Sequence, residues 1–281
     1  MITWTASGVV TTPDTIQIRL SKQNPSEIRA GAPTPTRILS PEEFQDNLDY
    51  FRFTLDGPRS QACTKLTLSG LQRENAAYFE ILVQYPHFQW ITLHIDPSII
   101  NWTELAEYQQ CYHRLSIPIN DLHQAQSIPQ WAIDKCHIIL LLEQGLENWI
   151  EPIITLANQR SWNPLIFLYP FPLLESQHST TLSPKQCLDL LEKHCRSLHN
   201  PPIIKGLPHC LLDSSFSVHS KTSNRWYVDA SHQREKALLF FPDILSFHKD
   251  DQCRFCRFTG SCDGFFTIYL EQHDLCLQAI E

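Results

Sequence analysis

Glycine is scarce in this chain: it occurs 8 times in 281 residues, against 19 prolines. The sequence contains no glycine-rich phosphate loop of the GxGxxG or GxxxxGK(S/T) kind, which argues against nucleotide hydrolysis. It also lacks the GxSxG elbow of a serine hydrolase. The common glycine-dependent catalytic motifs are therefore absent, and the chemistry has to come from other residues.

The sequence also lacks an excess of basic residues and long apolar runs. The formal net charge is −8, which argues against a nucleic-acid partner. The best candidate for a membrane span, Ile138–Leu142, has five residues, far short of the ~18 that a span needs. Met1–Thr5 lacks the basic and apolar regions of a signal peptide. We therefore expect a cytoplasmic protein with no membrane partner, whose 10 cysteines are mostly reduced.

Short apolar runs alternate with amphipathic runs about six times over the first 200 residues. The predicted strands begin near Thr15, Lys65, Trp90, Arg114, His137 and Leu165. Such alternation predicts an α/β fold with a parallel sheet, as a partial (β/α) barrel or a doubly wound sheet. After about Pro201 the sequence becomes irregular and rich in cysteine, histidine and aromatic residues. We therefore predict two parts, residues 1–200 and a Cys-rich extension over residues 201–281.

The strongest chemical signal lies in this extension. Cys253 and Cys256 form a CxxC pair, and Cys262 follows six residues later. A CxxC turn directs two thiolates and several backbone N–H groups at one metal centre. Gly260 and Gly264 allow a close approach of the backbone. This pattern predicts a metal centre with three of its ligands on one loop.

A fourth ligand has several candidates. Cys210 is the first choice and Cys276 the second, while His209 or His248 would suit zinc. Four thiolates fit both a [4Fe-4S] cluster and Zn²⁺, so the sequence leaves the metal open.

Two further groups of residues have weaker signals. His94 and Asp96 end the third predicted strand, where barrel active sites gather, and are weak catalytic candidates beside a plain role as polar strand-end residues. The scattered cysteines fall within predicted elements and are interpreted as core residues; they are Cys63, Cys111, Cys136, Cys187 and Cys195.

With these motifs, the chain resembles the radical S-adenosylmethionine (radical SAM) enzymes that carry a C-terminal SPASM or twitch domain. The Cx2Cx5C spacing of Cys253, Cys256 and Cys262 is similar to the SPASM core, but the further cysteine of that motif would fall at Phe266. The resemblance implies a partial (β/α) barrel of radical-SAM type over residues 1–200. It also implies an auxiliary centre, with a [4Fe-4S] cluster favoured, over residues 201–281.

The sequence departs from the family where S-adenosylmethionine is cleaved. The CxxxCxxC loop after the first strand would place its ligands at Asn24, Ile28 and Gly31, and no cysteine precedes Cys63. The GGEP segment of the family appears as residues 69–72, with the sequence SGLQ. The resemblance therefore implies a degenerate protein, a pseudoenzyme that binds no S-adenosylmethionine.

The expected function is that of an accessory protein. The resemblance implies a non-catalytic member of a peptide-modification, natural-product pathway that binds a peptide or protein partner. One alternative is a metal-dependent enzyme of another class that reuses the barrel. Another is a zinc-stapled structural protein of an assembly. The sequence leaves the partner and the oligomeric state open.

Overall fold

A computed structural model describes residues 15–21, 37–53, 63–170, 181–212, 216–219, 225–240 and 247–280. The chain divides into two compact units. Unit 1 contains residues 1–24, 33–116 and 223–242, and unit 2 contains residues 25–32, 117–222 and 243–281. The predicted division into residues 1–200 and 201–281 stays a prediction.

Unit 1 is built on parallel strands joined by helices. Its strand order is β10-β9-β1-β2-β3-β4, and all neighbours run parallel except the antiparallel pair β9–β10. The elements are β1 (Thr15–Arg19), α1 (Pro41–Phe53), β2 (Lys65–Ser69), α2 (Ala76–Leu82), β3 (Trp90–His94), α3 (Trp102–Glu107), β4 (Arg114–Ile119), β9 (Arg225–Val228) and β10 (Leu238–Phe240).

The start of α1 shows how the sequence fixes these elements. Ser40 Oγ accepts a hydrogen bond from Glu43 N (3.2 Å), and Glu43 Oε2 accepts one from Ser40 N (2.9 Å). This reciprocal pair is a capping box, with Pro41 at the first helical position, where its missing N–H costs nothing. The predicted helix start at residues 40–43 is confirmed.

Unit 2 repeats the same architecture. Its strands follow the order β5-β6-β7-β8, and all three neighbouring pairs run parallel. The elements are α4 (Leu122–Ser127), β5 (Cys136–Leu141), α5 (Ile150–Arg160), β6 (Leu165–Leu168), α6 (Pro184–Cys195), β7 (Ile203–Lys205), β8 (Ser217–His219), β11 (Phe247–His248), β12 (Phe265–Phe266) and α7 (Thr267–His273).

Aromatic residues pack the C-terminal segment against the end of β6. The rings of Tyr169 and Tyr269 meet edge to face with centroids 4.9 Å apart, and Phe265 lies 5.3 Å from Tyr169. The Tyr269 hydroxyl donates to the carbonyl oxygen of Pro170 (3.1 Å). All three rings are fully buried, so the segment that carries the cysteines is packed into unit 2.

The parallel α/β prediction is confirmed, and the six predicted strands correspond to β1–β6. The prediction of an irregular chain after Pro201 is wrong in one respect, because β7–β10 continue the sheet edges there. These strands have only three or four residues, too few to establish an alternation in the sequence. No helix among the described residues is long and apolar enough to cross a membrane.

Candidate metal centre

The CxxC pair lies on a tight turn. Residues Asp251–Phe255 form a 3-10 helix, and Cys256 N donates to the carbonyl oxygen of Cys253 (3.2 Å). Thr259 N then donates to the carbonyl oxygen of Cys256 (3.0 Å), which continues the chain as successive turns. This folding turns Cys253 and Cys256 towards the same cavity.

Four cysteines line that cavity: Cys210, Cys253, Cys256 and Cys262. The cavity volume is about 20 Å³. The cavity walls are completed by Pro208, His209, Lys249, Phe258, Thr259, Gly264, Leu277 and Gln278. The structure thus brings the three loop cysteines and the first-choice fourth cysteine together in unit 2.

The four cysteines do not form a preformed site for one ion among the residues that the structure describes. Among the described residues, no three His, Cys, Asp or Glu side chains are placed so that they could hold a single metal ion. A tetrahedral zinc site with Zn–S bonds of about 2.3 Å would bring the sulfurs to about 3.8 Å from one another. A cubane cluster holds its thiolates farther apart than a single ion does, and it takes four cysteines. The four thiols are therefore the kind of donor set that either a [4Fe-4S] cluster or Zn²⁺ would take.

Gly264 shapes the wall beside Cys262. Its φ is +93°, and its N–H donates to Cys262 Sγ (3.3 Å). A Cβ at this position would lie 2.1 Å from the carbonyl oxygen of His248. Only glycine fits here, and its N–H is aimed at a sulfur, a contact that stabilises a thiolate ligand.

Burial raises the pKa of two of these thiols, those of Cys210 and Cys253, and so favours their protonated form. Burial raises the pKa of Cys210, and the nearby thiols of Cys262 and Cys253 raise it further, while a backbone hydrogen bond from Gln278 lowers it. Burial also raises the pKa of Cys253. Loading a metal therefore releases protons from these side chains.

The other candidate ligands lie in different surroundings. Cys276 is exposed and does not line the cavity, although the next residue, Leu277, does. His248 Nε2 lies 2.7 Å from Asp250 Oδ1 and is exposed. His209 lines the cavity, with its ring stacked on Phe258 at a centroid distance of 3.9 Å.

The weak catalytic candidates lie in unit 1. His94 ends β3, and the Asp96 carboxylate accepts a hydrogen bond from Ser98 N (2.9 Å). The backbone carbonyl of Asp96 also accepts from Ile100 N (3.2 Å), so Asp96 organises the turn that follows the strand. A catalytic role for His94 and Asp96 stays a prediction.

The scattered cysteines are buried, as predicted. Burial raises the pKa of Cys136 and of Cys195 to about 12, which leaves both as neutral thiols near neutral pH. They serve as small core residues.

Hydrogen bonds connect the chain after β1 to residues 70–72. Ser21 Oγ donates to the carbonyl oxygen of Gly70 (2.6 Å), and Gln72 Nε2 donates to Ser21 Oγ. Gly70 has a φ of +71°, and a Cβ there would lie 2.4 Å from the carbonyl oxygen of Ser21. The sequence analysis missed this network, and the isolated Gly70 was its only signal. The positions Asn24, Ile28 and Gly31 lie outside the described residues.

Several solved structures are similar to this chain in fold. Streptococcus suis SuiB aligns over 80% of this chain and 60% of SuiB, with 7% identity and a TM-score of 0.53. SuiB bound to the precursor peptide SuiA aligns over 97% of this chain and 76% of SuiB, with 9% identity and a TM-score of 0.61. Native anSMEcpe with bound AdoMet and Kp18Cys peptide aligns over 94% of this chain and 92% of its own, with 12% identity and a TM-score of 0.54.

The sequence itself has no such match. No protein-family model and no curated protein matches it. SuiB and anSMEcpe are radical SAM enzymes, and at 7–12% identity the likeness concerns the fold alone. The alignment with SuiB alone spans 60% of SuiB, which is less than two thirds of that protein. The chain therefore has a radical-SAM-like fold.

Proposed function

We propose that this chain is a radical-SAM-like accessory protein that holds a metal centre through Cys210, Cys253, Cys256 and Cys262 and binds a peptide or protein partner in a modification pathway. The observation that carries the proposal is the single cavity lined by these four cysteines on a radical-SAM-like fold. Two structures of that fold hold peptides, SuiA in SuiB and Kp18Cys in anSMEcpe, which supports a peptide as the partner class.

The centre would be a [4Fe-4S] cluster held by the four thiolates. Such a cluster supplies one-electron redox chemistry when bound. The chain's own residues supply the donor sulfurs, an N–H from Gly264 to Cys262 Sγ, and apolar wall residues such as Phe258 and Leu277. Zn²⁺ is the alternative occupant, in a structural role.

We further propose that the chain does not cleave S-adenosylmethionine. No cysteine precedes Cys63, so the loop after β1 has no thiolate with which to hold a catalytic cluster. The hydrogen bonds among Ser21, Gly70 and Gln72 support the same conclusion, because they engage the backbone of the segment that corresponds to GGEP.

Anaerobic purification followed by metal analysis and absorption spectroscopy tests the centre. We expect about four iron atoms per chain and a band near 400 nm in the wild type, both lost in Cys256→Ala. One zinc per chain and no absorption band near 400 nm would indicate a structural Zn²⁺ ion in place of the cluster. A chain with neither metal would overturn the proposed centre.

A second assay tests the absence of catalysis. The reduced, metal-loaded chain is incubated with S-adenosylmethionine, and 5′-deoxyadenosine is measured by chromatography. We expect none above the level of the Cys256→Ala variant. Formation of 5′-deoxyadenosine by the wild type would show that radical initiation persists.

A further inference from the structure

The loop that carries the CxxC pair presents an aromatic ring to solvent. Phe255 is 75% exposed, the highest value among the large hydrophobic side chains of the described residues. It lies between Cys253 and Cys256, both of which line the cavity. An exposed phenyl ring on a short turn gains from burial against another molecule and does not support the fold of this loop.

Arg254 and Arg257 lie on either side of Phe255 in the sequence, and Arg254 is in contact with its ring. Arg254 Cζ lies 4.8 Å from the centroid of Phe255, and Arg257 Cζ lies 4.8 Å from the centroid of Phe258. Both arginines are exposed, and neither forms an ion pair with any residue that the structure describes. We call Arg254, Phe255 and Arg257 the rim.

The nearby charges are mostly engaged elsewhere. Lys249 Nζ donates to the carbonyl oxygen of Thr259 (2.9 Å). The Asp250 carboxylate lies 2.7 Å from His248 Nε2 and accepts from Leu277 N (2.6 Å). Asp251 is exposed at the start of the 3-10 turn, three residues before Arg254. Asp263 is half-buried. Over residues 251–258, the two exposed guanidinium groups outnumber the one exposed carboxylate, that of Asp251.

We propose that the rim binds a peptide segment in which carboxylates flank an aliphatic or aromatic side chain. A guanidinium group binds a carboxylate through two parallel hydrogen bonds, and arginine and aromatic residues dominate binding energies at interfaces. The chain as a whole carries a net charge of −8, which repels an acidic peptide from most of its surface. The inference rests on the proposed function, since it locates the peptide partner beside the metal centre.

Fluorescence anisotropy on the full-length chain tests the rim. The probe is a fluorescein-labelled peptide of alternating glutamate and leucine, with a lysine–leucine and a glutamate–serine peptide for comparison. We expect the glutamate–leucine peptide to bind best, and its affinity to fall as salt increases. The double variant Arg254→Glu/Arg257→Glu and the single variant Phe255→Ser should each weaken binding about tenfold or more.

Matched controls separate the rim from general effects. Arg254→Lys/Arg257→Lys keeps the charge but loses the paired hydrogen bonds, so it should fall between wild type and the glutamate variant. Arg73→Glu and Val83→Ser change an exposed charge and a 56% exposed apolar residue in unit 1, and should leave binding unchanged. Metal content and absorbance, measured on every variant, show whether the centre is retained.

The outcomes distinguish the inference from the proposed function. Binding that is equal in wild type and rim variants would overturn the rim and leave a peptide-binding function in place. A wild type that binds none of the three peptides would overturn the rim and remove support for a peptide partner. A wild-type chain that binds the glutamate–leucine peptide but contains neither iron nor zinc would overturn the proposed centre alone.

Discussion

Gly264 approaches His248 so closely that a Cβ at residue 264 would lie 2.1 Å from the carbonyl oxygen of His248. The same glycine donates its N–H to Cys262 Sγ. The pairing of β11 with β12 sets this approach, because His248 pairs with Phe265, the residue after Gly264. One contact thus joins the small C-terminal hairpin to the wall of the cysteine cavity.

Gly264→Ala should therefore displace the hairpin and reduce metal content well below that of wild type. The substitution combines a positive φ with a steric overlap against backbone, which we expect to destabilise this region by about 2 kcal/mol or more. Iron or zinc per chain and thermal unfolding measure the effect. Gly145→Ala is the control, because Gly145 also has a positive φ (+94°) but no atom within 4 Å of a built Cβ. Equal behaviour of the two variants would contradict the importance of the close approach.

Cys210→Ala and Cys276→Ala distinguish the two predicted fourth ligands. Cys210 lines the cavity, whereas Cys276 is exposed and outside its walls. We therefore expect Cys210→Ala to lose most of the bound metal and Cys276→Ala to retain it. Metal analysis and the absorption spectrum provide the readout. Retention in Cys210→Ala together with loss in Cys276→Ala would reverse the assignment.

Glu43 should make the stability of unit 1 depend on pH. The side-chain hydrogen bond with Arg37 is the main cause that lowers the pKa of Glu43 from 4.5 to about 2; hydrogen bonds with Ser40 and Gln233 contribute in the same direction. A lowered folded-state pKa gives stability that is present above pH 4.5 and lost as pH falls from about 4.5 to about 2.

The corresponding variant is Glu43→Gln. Because Arg37 is 54% exposed, solvent screens the pair, and we expect the variant to lose only about 1 kcal/mol at pH 7. The difference from wild type should shrink towards zero near pH 2. Urea unfolding at several pH values measures it, with the exposed Glu74→Gln as control. A difference that stays constant down to pH 2 would contradict the linkage.

Thiol alkylation should separate the cysteines by location in the metal-free protein. Cys276 is exposed and should react first with iodoacetamide. Cys136 and Cys195 are buried and have pKa values raised to about 12, so they should react only after unfolding. Peptide mapping by mass spectrometry follows each site, and rapid native labelling of Cys136 would contradict the described packing.

The sequence predicted the features that depend on local pattern. The capping box at Ser40 and Glu43 and the apolar run of β5 each have a signature within a few residues. The CxxC turn is also local, and it pointed to the cavity now seen around Cys253 and Cys256. The features that the sequence did not predict depend on contacts between residues far apart in the chain.

Contacts between distant segments could not be predicted in this way. Cys210 and Cys276 were both candidates for a fourth ligand, because sequence spacing does not say which returns to the loop. The hydrogen bond between Ser21 and Gly70 joins residues 49 positions apart and has no pattern of its own. The short strands β7 and β8 are defined by pairing with their neighbours rather than by their own alternation.

The position of Cys210 in the cavity has a consequence for the chain as a polymer. Cys210 and Cys253 lie 43 positions apart (253 − 210), and β9 and β10 of unit 1 lie between them in the sequence. A centre held by both residues closes a loop of chain that leaves unit 2, contributes two strands to unit 1 and returns. By the loop-closure relation for a covalent cross-link, closing a loop of this length removes unfolded-state entropy worth about 4 kcal/mol. Metal binding would then stabilise β9 and β10 of unit 1 as well as the segments that carry the cysteines.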